Sequence, residues 1–299
     1  MLANNLIVEK TKTFEPGIYD SITNDEYHSS PGLSRSAIME FKKSPKHFQH
    51  KYLNPDYKKP EPSAPMQFGT ALHTALLEPK EFYNRVIIKP EEKILIGKLP
   101  LLKDVGRLMY DQAKLQQEQN RIAKEAAQIA FEIESAGKII LTFEEKKKLD
   151  SMCEAIYSDE YAKDLLVDAI YERSIYWIDP ETQLLLKARP DIWHDAFIVD
   201  YKTCADASER SFGWEVKNYG YYMQFAMMNE AIKNILGIDM RDFVFLAQEK
   251  TEPYLPAIYQ LNMQSLDKGI EEFHHLLREI KSCMESNKFV GYSPKFISI

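Results

Sequence analysis

The 299 residues are 44% hydrophobic, 28% charged and 12% aromatic, which excludes a disordered chain and supplies enough apolar surface for a sizeable core. No apolar run approaches the roughly 18 residues that cross a bilayer, and MLANNLIVEK has no basic segment followed by a long apolar one, so a membrane protein is excluded and a cytoplasmic one expected. A formal net charge of -7 argues against a chain that is basic throughout, but between Arg35 and Lys59 only Glu40 and Asp56 oppose Arg35, Lys42, Lys43, Lys46, Lys51, Lys58 and Lys59, so one local surface can be basic.

Length alone leaves the domain count open, and the reading adopted is one domain over residues 1–299. It would contain a helical insertion with connecting helices at about 94–160 and a catalytic sheet core at about 170–265. Cys153, Cys204 and Cys283 stand far apart with no C-x-x-C pair, which speaks against zinc, an iron-sulfur cluster or a disulfide framework and for free, reduced thiols.

After an extended start around Pro16 and Gly17, LSRSAIMEFKKSPKHFQHKYL spaces Ile38, Phe41, Phe48 and Leu53 for two short helices broken at Pro45. The proline-rich KKPEPSAP is a loop, and MQFGTALHTALLEP a compact apolar helix carrying His73. From about Asp104 to Ser135, Leu108, Leu115, Ile122, Ala126, Ile129 and Ile133 form the stripe of one long helix. Thr142 and Glu145 have capping-box spacing and predict another helix through Leu149, Met152 and Ile156.

The period then shortens to that of strands. YERSIYWI, LLLKARPDIW and FIVDYKT predict a three-stranded meander with a turn at DPET and a break at His194 and Asp195. A helix from about Trp214 to Asn234 ends at Gly237, strands DFVFLAQE and AIYQLN follow, and a last helix runs from about Leu266 to Met284. This order is an α/β layer arrangement.

Alternate residues of a strand share a face, so Asp200 and Lys202 point together while Val199 and Tyr201 point away. Asp191 lies on the preceding strand and can approach Asp200 across a ladder, bringing two carboxylates and an ammonium together beside apolar strands. Adjacent carboxylates repel unless a cation neutralises them, which is the arrangement a hard divalent metal such as Mg²⁺ stabilises through oxygen ligands. Such a metal polarises a phosphoryl oxygen and acidifies bound water, with Lys202 orienting the water or steadying developing charge, so the chemistry is phosphodiester hydrolysis. As bare spacing D-x8-D-x-K is common, and the plainer alternative is a strand-end salt bridge. The apolar strand around Asp200 and Pro190 before Asp191 favour the site.

ARPD at 188–191 followed by VDYKT at 199–203 resembles the signature of PD-(D/E)xK nucleases. The resemblance implies an α/β restriction-endonuclease-like core, a central mixed sheet flanked by helices with a helical insertion. It also implies metal binding by Asp191, Asp200 and the backbone carbonyl of Tyr201, with Lys202 assisting the water and Mn²⁺ able to replace Mg²⁺. Nearly the whole chain is similar to a narrower group, the RecE-type (exonuclease VIII-like) exonucleases of prophages, related to lambda exonuclease and RecB-like nuclease domains. GLSRSAIMEFKKSPKHF, GTALHTALLEP and ERSIYW with KARPD carry that likeness.

By that resemblance His73 is a further metal ligand or a contact to the scissile phosphate, where a lone His on an apolar helix would otherwise be a core residue. Gln224 falls where related nucleases carry Q-x-x-x-Y and would bond the substrate strand or the water. Here the Tyr position is Met228, and Tyr222 is the nearby aromatic that would contact DNA. Ser34, Arg35 and Ser36 open a helix whose N–H groups suit a terminal 5′ phosphate, or simply cap it. Lys187 and Arg189 are read as sharing the Asp191 face and as further phosphate contacts, and His194 as a surface residue.

The resemblance implies a 5′ to 3′ exonuclease on double-stranded DNA ends. It would leave 3′ single strands for a phage-type single-strand annealing protein in DNA recombination, as a ring-shaped homo-oligomer. A Cas4-like nuclease or one of different polarity is the alternative, although Cas4-like chains normally carry four cysteines. A DNA-binding recombination scaffold without cleavage is another. The segment from about Ile94 to Gly137 is left open between an oligomer contact, a DNA clamp and simple packing.

Overall fold

The computed structural model describes residues 13–90, 102–240 and 242–292. The amino-terminal stretch read for a leader and the start of the expected insertion, 94–101, lie outside the described residues. The described residues form two compact units, one within Met1–Glu61 and Ala155–Ile299 and the other within Pro62–Glu154.

The first unit opens with strand β1 (Gly17–Tyr19) and helices α1 (Asn24–Ser29), α2 (Arg35–Lys43) and α3 (Pro45–Phe48). The break expected at Pro45 falls between α2 and α3. Ser44 is extended there, its hydroxyl accepts from Lys46 N (3.2 Å), and proline at the first helical position loses no intrahelical bond.

In the second unit come α4 (Ala64–Leu77), α5 (Phe82–Arg85), β2 (Val86–Ile88), α6 (Leu102–Ser135) and β3 (Ile139–Leu141), followed by α7 (Phe143–Ser158). Strands β2 and β3 pair in parallel. The capping box closes as expected: Thr142 N donates to Glu145 Oε2 (2.8 Å) and Glu145 N to Thr142 Oγ1 (3.1 Å).

The first unit resumes with α8 (Glu160–Asp164), β4 (Ile170–Tyr171), β5 (Ser174–Ile178), β6 (Leu185–Ala188), β7 (Ile192–Trp193) and β8 (Ile198–Cys204). It ends with α9 (Glu209–Asn218), α10 (Tyr222–Leu236), β9 (Phe243–Glu249), β10 (Pro256–Gln260) and α11 (Met263–Ser286). Its larger sheet is mixed, in the order β10-β9-β8-β7-β4, with β8 and β9 parallel and the other pairs antiparallel. A smaller antiparallel sheet runs β1-β5-β6. The architecture is mixed α/β, a central mixed sheet with helices packed on it.

Two expected elements divide. The three-stranded meander belongs to two sheets, because Arg189, Pro190 and Asp191 interrupt the middle strand: proline has no N–H for a ladder, so β6 ends its pairing with β5 and β7 begins a new one with β8 and β4. The single helix expected from Trp214 to Asn234 is α9 and α10, separated by a turn at Gly220, whose φ of 62° suits glycine.

The core of this unit unites Ile198 and Cys204 of β8, Phe243, Phe245 and Ala247 of β9, and the buried faces of α2, α10 and α11. Gly269 lets α11 approach α10 closely, since a Cβ there would lie 2.7 Å from the Tyr222 carbonyl oxygen. The three cysteines are free. Among the described residues no helix is long and apolar enough to cross a membrane.

A pH-dependent contact joins the same helices. His274 Nε2 of α11 lies 3.7 Å from Glu230 Oε1 of α10, and hydrogen bonding to Glu230 raises the imidazole above its usual range. A pKa raised on folding contributes stability that is full below the unfolded value of about 6.5 and is lost as pH rises through the folded value. Urea denaturation should find His274→Gln less stable than the parent by about 1 kcal/mol at acidic pH, with the difference gone in alkali.

Candidate active site

Strand β8 enters the sheet centre apolar and turns polar on one face. Asp200 is fully buried, and Lys202, two residues on, ion-pairs its Nζ with Asp200 Oδ2. The ladder sets Ile192 opposite Val199, so Asp191, one residue before β7, falls beside Asp200. Tyr201 N donates to Asp191 Oδ2 (2.9 Å), and the Asp191 carboxyl also hydrogen-bonds Asp200. Desolvation holds the Asp191 carboxyl above the usual carboxylate range, against the opposing pull of Lys202, the Tyr201 amide and Asp200. Two desolvated carboxyls in contact cannot both ionise without a cation, so the pair holds a proton or recruits positive charge.

Gln224, in the first turn of α10, donates Nε2 to Asp200 Oδ1. Both Asp200 oxygens are thus oriented, one by Gln224 and one by Lys202. The Lys202 ammonium also lies 5.5 Å from the centre of the Tyr221 ring. If Asp200 holds a divalent cation, as expected from the sequence, replacing Gln224 with Ala should lower metal affinity or turnover by about 10- to 100-fold, as loss of a group orienting a ligand does. Isothermal titration with the divalent cation, beside a rate assay, checks this.

Sequence reasoning missed Glu172. It sits between β4 and β5 at φ 49°, its N–H donates to the Asp191 carbonyl (3.2 Å), and a carboxylate oxygen lies within 4.8 Å of one from Asp191. Nothing local marks this Glu, because its place depends on β4 pairing with β7 rather than on any spacing along the chain. Its carboxylate also lies 3.9 Å from Arg189 Nη1, and with Asp191 it offers two neighbouring oxygen donors, the ligand type that a hard divalent cation such as Mg²⁺ takes.

The other residues singled out from sequence fall in several places. His73 is half-buried on α4 of the second unit. Tyr201 turns its side chain to the opposite face of β8, where its hydroxyl donates to Gln248 Oε1 (2.5 Å). Ser34 is the N-cap of α2 through its backbone carbonyl, which accepts from Ala37 N (3.0 Å), and its side chain makes no capping bond. Ser36 is exposed beside it. Arg35 turns toward the α9–α10 junction, donating to the carbonyls of Tyr219 and Gly220 with its guanidinium over the Tyr221 ring.

Three expected DNA contacts are otherwise engaged. Lys187 is buried, and its ammonium donates to the carbonyls of Tyr27 and Ser30 (2.6 Å each) and to Ser30 Oγ (3.3 Å). Burial lowers its pKa to about 8. Arg189 donates Nε to Ser174 Oγ (2.8 Å), Nη1 to Asn24 Oδ1 (2.7 Å) and Nη2 to the Ile22 carbonyl (2.9 Å), and lies over the Tyr27 ring. Neither shares a strand face with Asp191, because β6 ends at Ala188 and alternation does not carry across the Pro190 break. Tyr222 donates to Glu272 Oε2 (2.8 Å) and accepts from Lys42 Nζ (3.2 Å), turned away from Gln224 because two residues along a helix rotate roughly 200°. His194, expected at the surface, is half-buried, stacked on Phe197 with Nε2 3.0 Å from the Leu165 carbonyl.

Over residues 34–296 the chain matches the family described as "PDDEXK-like domain of unknown function (DUF3799)". Among solved structures it is similar to the crystal structure described as "Putative exonuclease" from Eubacterium rectale, with a TM-score of 0.56 and 14% identity over 92% of this chain and 96% of that one. At that identity the likeness is one of fold. The crystal structure of SSO0001 overlaps with a TM-score of 0.27 and 11% identity over 45% of this chain and 68% of that one, which carries no argument. None of the curated proteins matches the chain.

Proposed function

The chain belongs to the PDDEXK-like domain family DUF3799, and from that premise we propose that it is a metal-dependent deoxyribonuclease working from duplex ends in the 5′ to 3′ direction. The observation that carries the nuclease reading is the convergence of Asp191, Asp200 and Lys202, with Gln224 fixing the Asp200 carboxylate. The description of the similar Eubacterium rectale chain as an exonuclease supports the same reading.

Asp191 and Asp200 would hold Mg²⁺ or Mn²⁺, with Glu172 and the Tyr201 carbonyl as further donors. A divalent cation so bound supplies a polarised phosphoryl oxygen and a more acidic water. Lys202, at the open end of the pair, orients the nucleophile and steadies negative charge on the phosphate. Ser34 and Ser36 would meet the 5′ phosphate. The 3′ single strand left behind would pass to an annealing protein in recombination.

The test is linear duplex DNA labelled at either the 5′ or the 3′ end, incubated with Mg²⁺ or EDTA beside a nick-free circle. Metal-dependent release of 5′ label, with the circle spared, is the expected result. Release from 3′ ends would reverse the polarity, and cutting of the circle would make the enzyme an endonuclease. Tight DNA binding without cleavage in Mg²⁺ or Mn²⁺ would replace the enzyme with a scaffold.

A further inference from the structure

Helix α6 turns its apolar stripe outward. Its half-buried residues, Tyr110, Ala113, Gln117, Asn120, Lys124 and Phe131, share one face and are mostly polar. The opposite face carries Leu108, Leu115, Ile122 and Ile129, each seven residues from the next and between 56% and 72% exposed, and Ile133 at 74% extends the row. A helix that packs on its own protein turns such a stripe inward. Apolar residues repeating every seven positions are the mark of a coiled-coil seam, and here the alternate seam positions are Gln112, Gln119, Ala126 and Ile133, all exposed.

We propose that a second copy of this chain covers the seam, α6 pairing with α6 of the copy in parallel and in register. Charge favours this occupant. Asp111, Glu118, Glu125 and Glu132 form an acidic column along one edge, and the seam beside them offers no cation to a DNA backbone. An antiparallel copy would set that column against itself. A parallel copy sets it against the other edge, where Gln116, Ala123 and Ala130 carry no charge. Arg121 is already taken up with the column, ion-paired to Glu118 (2.6 Å) and Glu125 (3.2 Å) of its own helix.

The two glutamines argue for a copy over an unrelated helix. An apolar partner would bury both amides without a hydrogen bond. In a parallel pair in register Gln112 and Gln119 each meet their own counterpart, amide to amide, as polar seam residues fix alignment in other coiled coils. Sliding one copy by seven residues would still pair Gln119 with Gln112 but would set the other Gln119 against Ala126, leaving its amide unmet. The small Ala126 lets the two backbones approach at the carboxyl-terminal half, where Ile122, Ile129 and Ile133 make the seam wholly apolar. This assembly does not depend on the catalytic reading.

Sedimentation equilibrium of the full chain is expected to give twice the chain mass. Leu115→Glu with Ile122→Glu, both at exposed positions, should leave circular dichroism unchanged and weaken association by roughly 100-fold or more. Gln117→Glu on the opposite face should not. Leu108→Cys at one end of the seam should form a disulfide-linked dimer on oxidation that the parent, with its three native cysteines, does not form. A monomeric parent, or a dimer indifferent to the two glutamates, would overturn the proposal. A dimer that responds to them but fails to cross-link through residue 108 would overturn the parallel register.

Discussion

Replacing Asp200 with Asn is expected to reduce phosphodiester cleavage by about 10³-fold or more, the rate equivalent of losing several kcal/mol of metal-derived charge stabilisation. The side chain is isosteric and the site is where burial is most unfavourable for charge, so the fold should survive. In EDTA the variant should be at least as stable as the parent, because one of two carboxyls in desolvated contact is gone. A cation that binds only the native state stabilises it by mass action, about 2.7 kcal/mol at 100 times the dissociation constant. The parent should therefore gain thermal stability from Mg²⁺, and Asp200→Asn should not.

Lys202→Ala separates chemistry from metal binding. Its ammonium contacts Asp200 from the partly open side and, on the proposed function, would serve the transition state, so its removal should cost about 10²- to 10³-fold in rate while leaving Mg²⁺ stabilisation in place. If Lys202→Ala cleaved at the parental rate, the ammonium would be no more than a salt-bridge partner of Asp200. If Asp200→Asn kept its stabilisation by Mg²⁺, the metal would bind elsewhere.

The convergence of Asp191, Asp200 and Lys202 was legible in the sequence because it is encoded locally. Alternation along VDYKT places Asp200 and Lys202 on one face whatever the rest of the chain does, and a proline before Asp191 marks the place where the preceding strand stops. Gln224 was legible only through resemblance, since its approach to Asp200 depends on how α10 lies on the sheet. Glu172 was not legible, because a two-residue strand pairing brings it in. The meander misled for the same reason: three apolar runs read as neighbours, and only the absence of an N–H at Pro190 divides them between two sheets. Arg189 and Lys187 misled because a cation two or four residues from a candidate catalytic carboxylate suggests a phosphate, while their partners include Asn24, Ile22, Tyr27 and Ser30, far away in the chain.

Those partners make Arg189 the second site of large effect, and on stability rather than on substrate. Its three hydrogen bonds tie the end of β6 to the β1–α1 connection and to the start of β5, and its side chain is only 7% exposed. Arg189→Ala strips three part-buried acceptors and the Glu172 carboxylate, 3.9 Å away, of a charged donor and should cost about 3 kcal/mol in urea denaturation. Arg189→Lys should recover only part of this, because one ammonium cannot span three acceptors held in the plane of a guanidinium. A phosphate-binding arginine behaves differently: its loss leaves the denaturation midpoint in place and lowers the salt dependence of DNA binding by about one phosphate. A stable Arg189→Ala protein with a shallower salt slope would return Arg189 to the DNA. A destabilised one with an unchanged slope would make it the clamp that holds the strand end from which Asp191 departs.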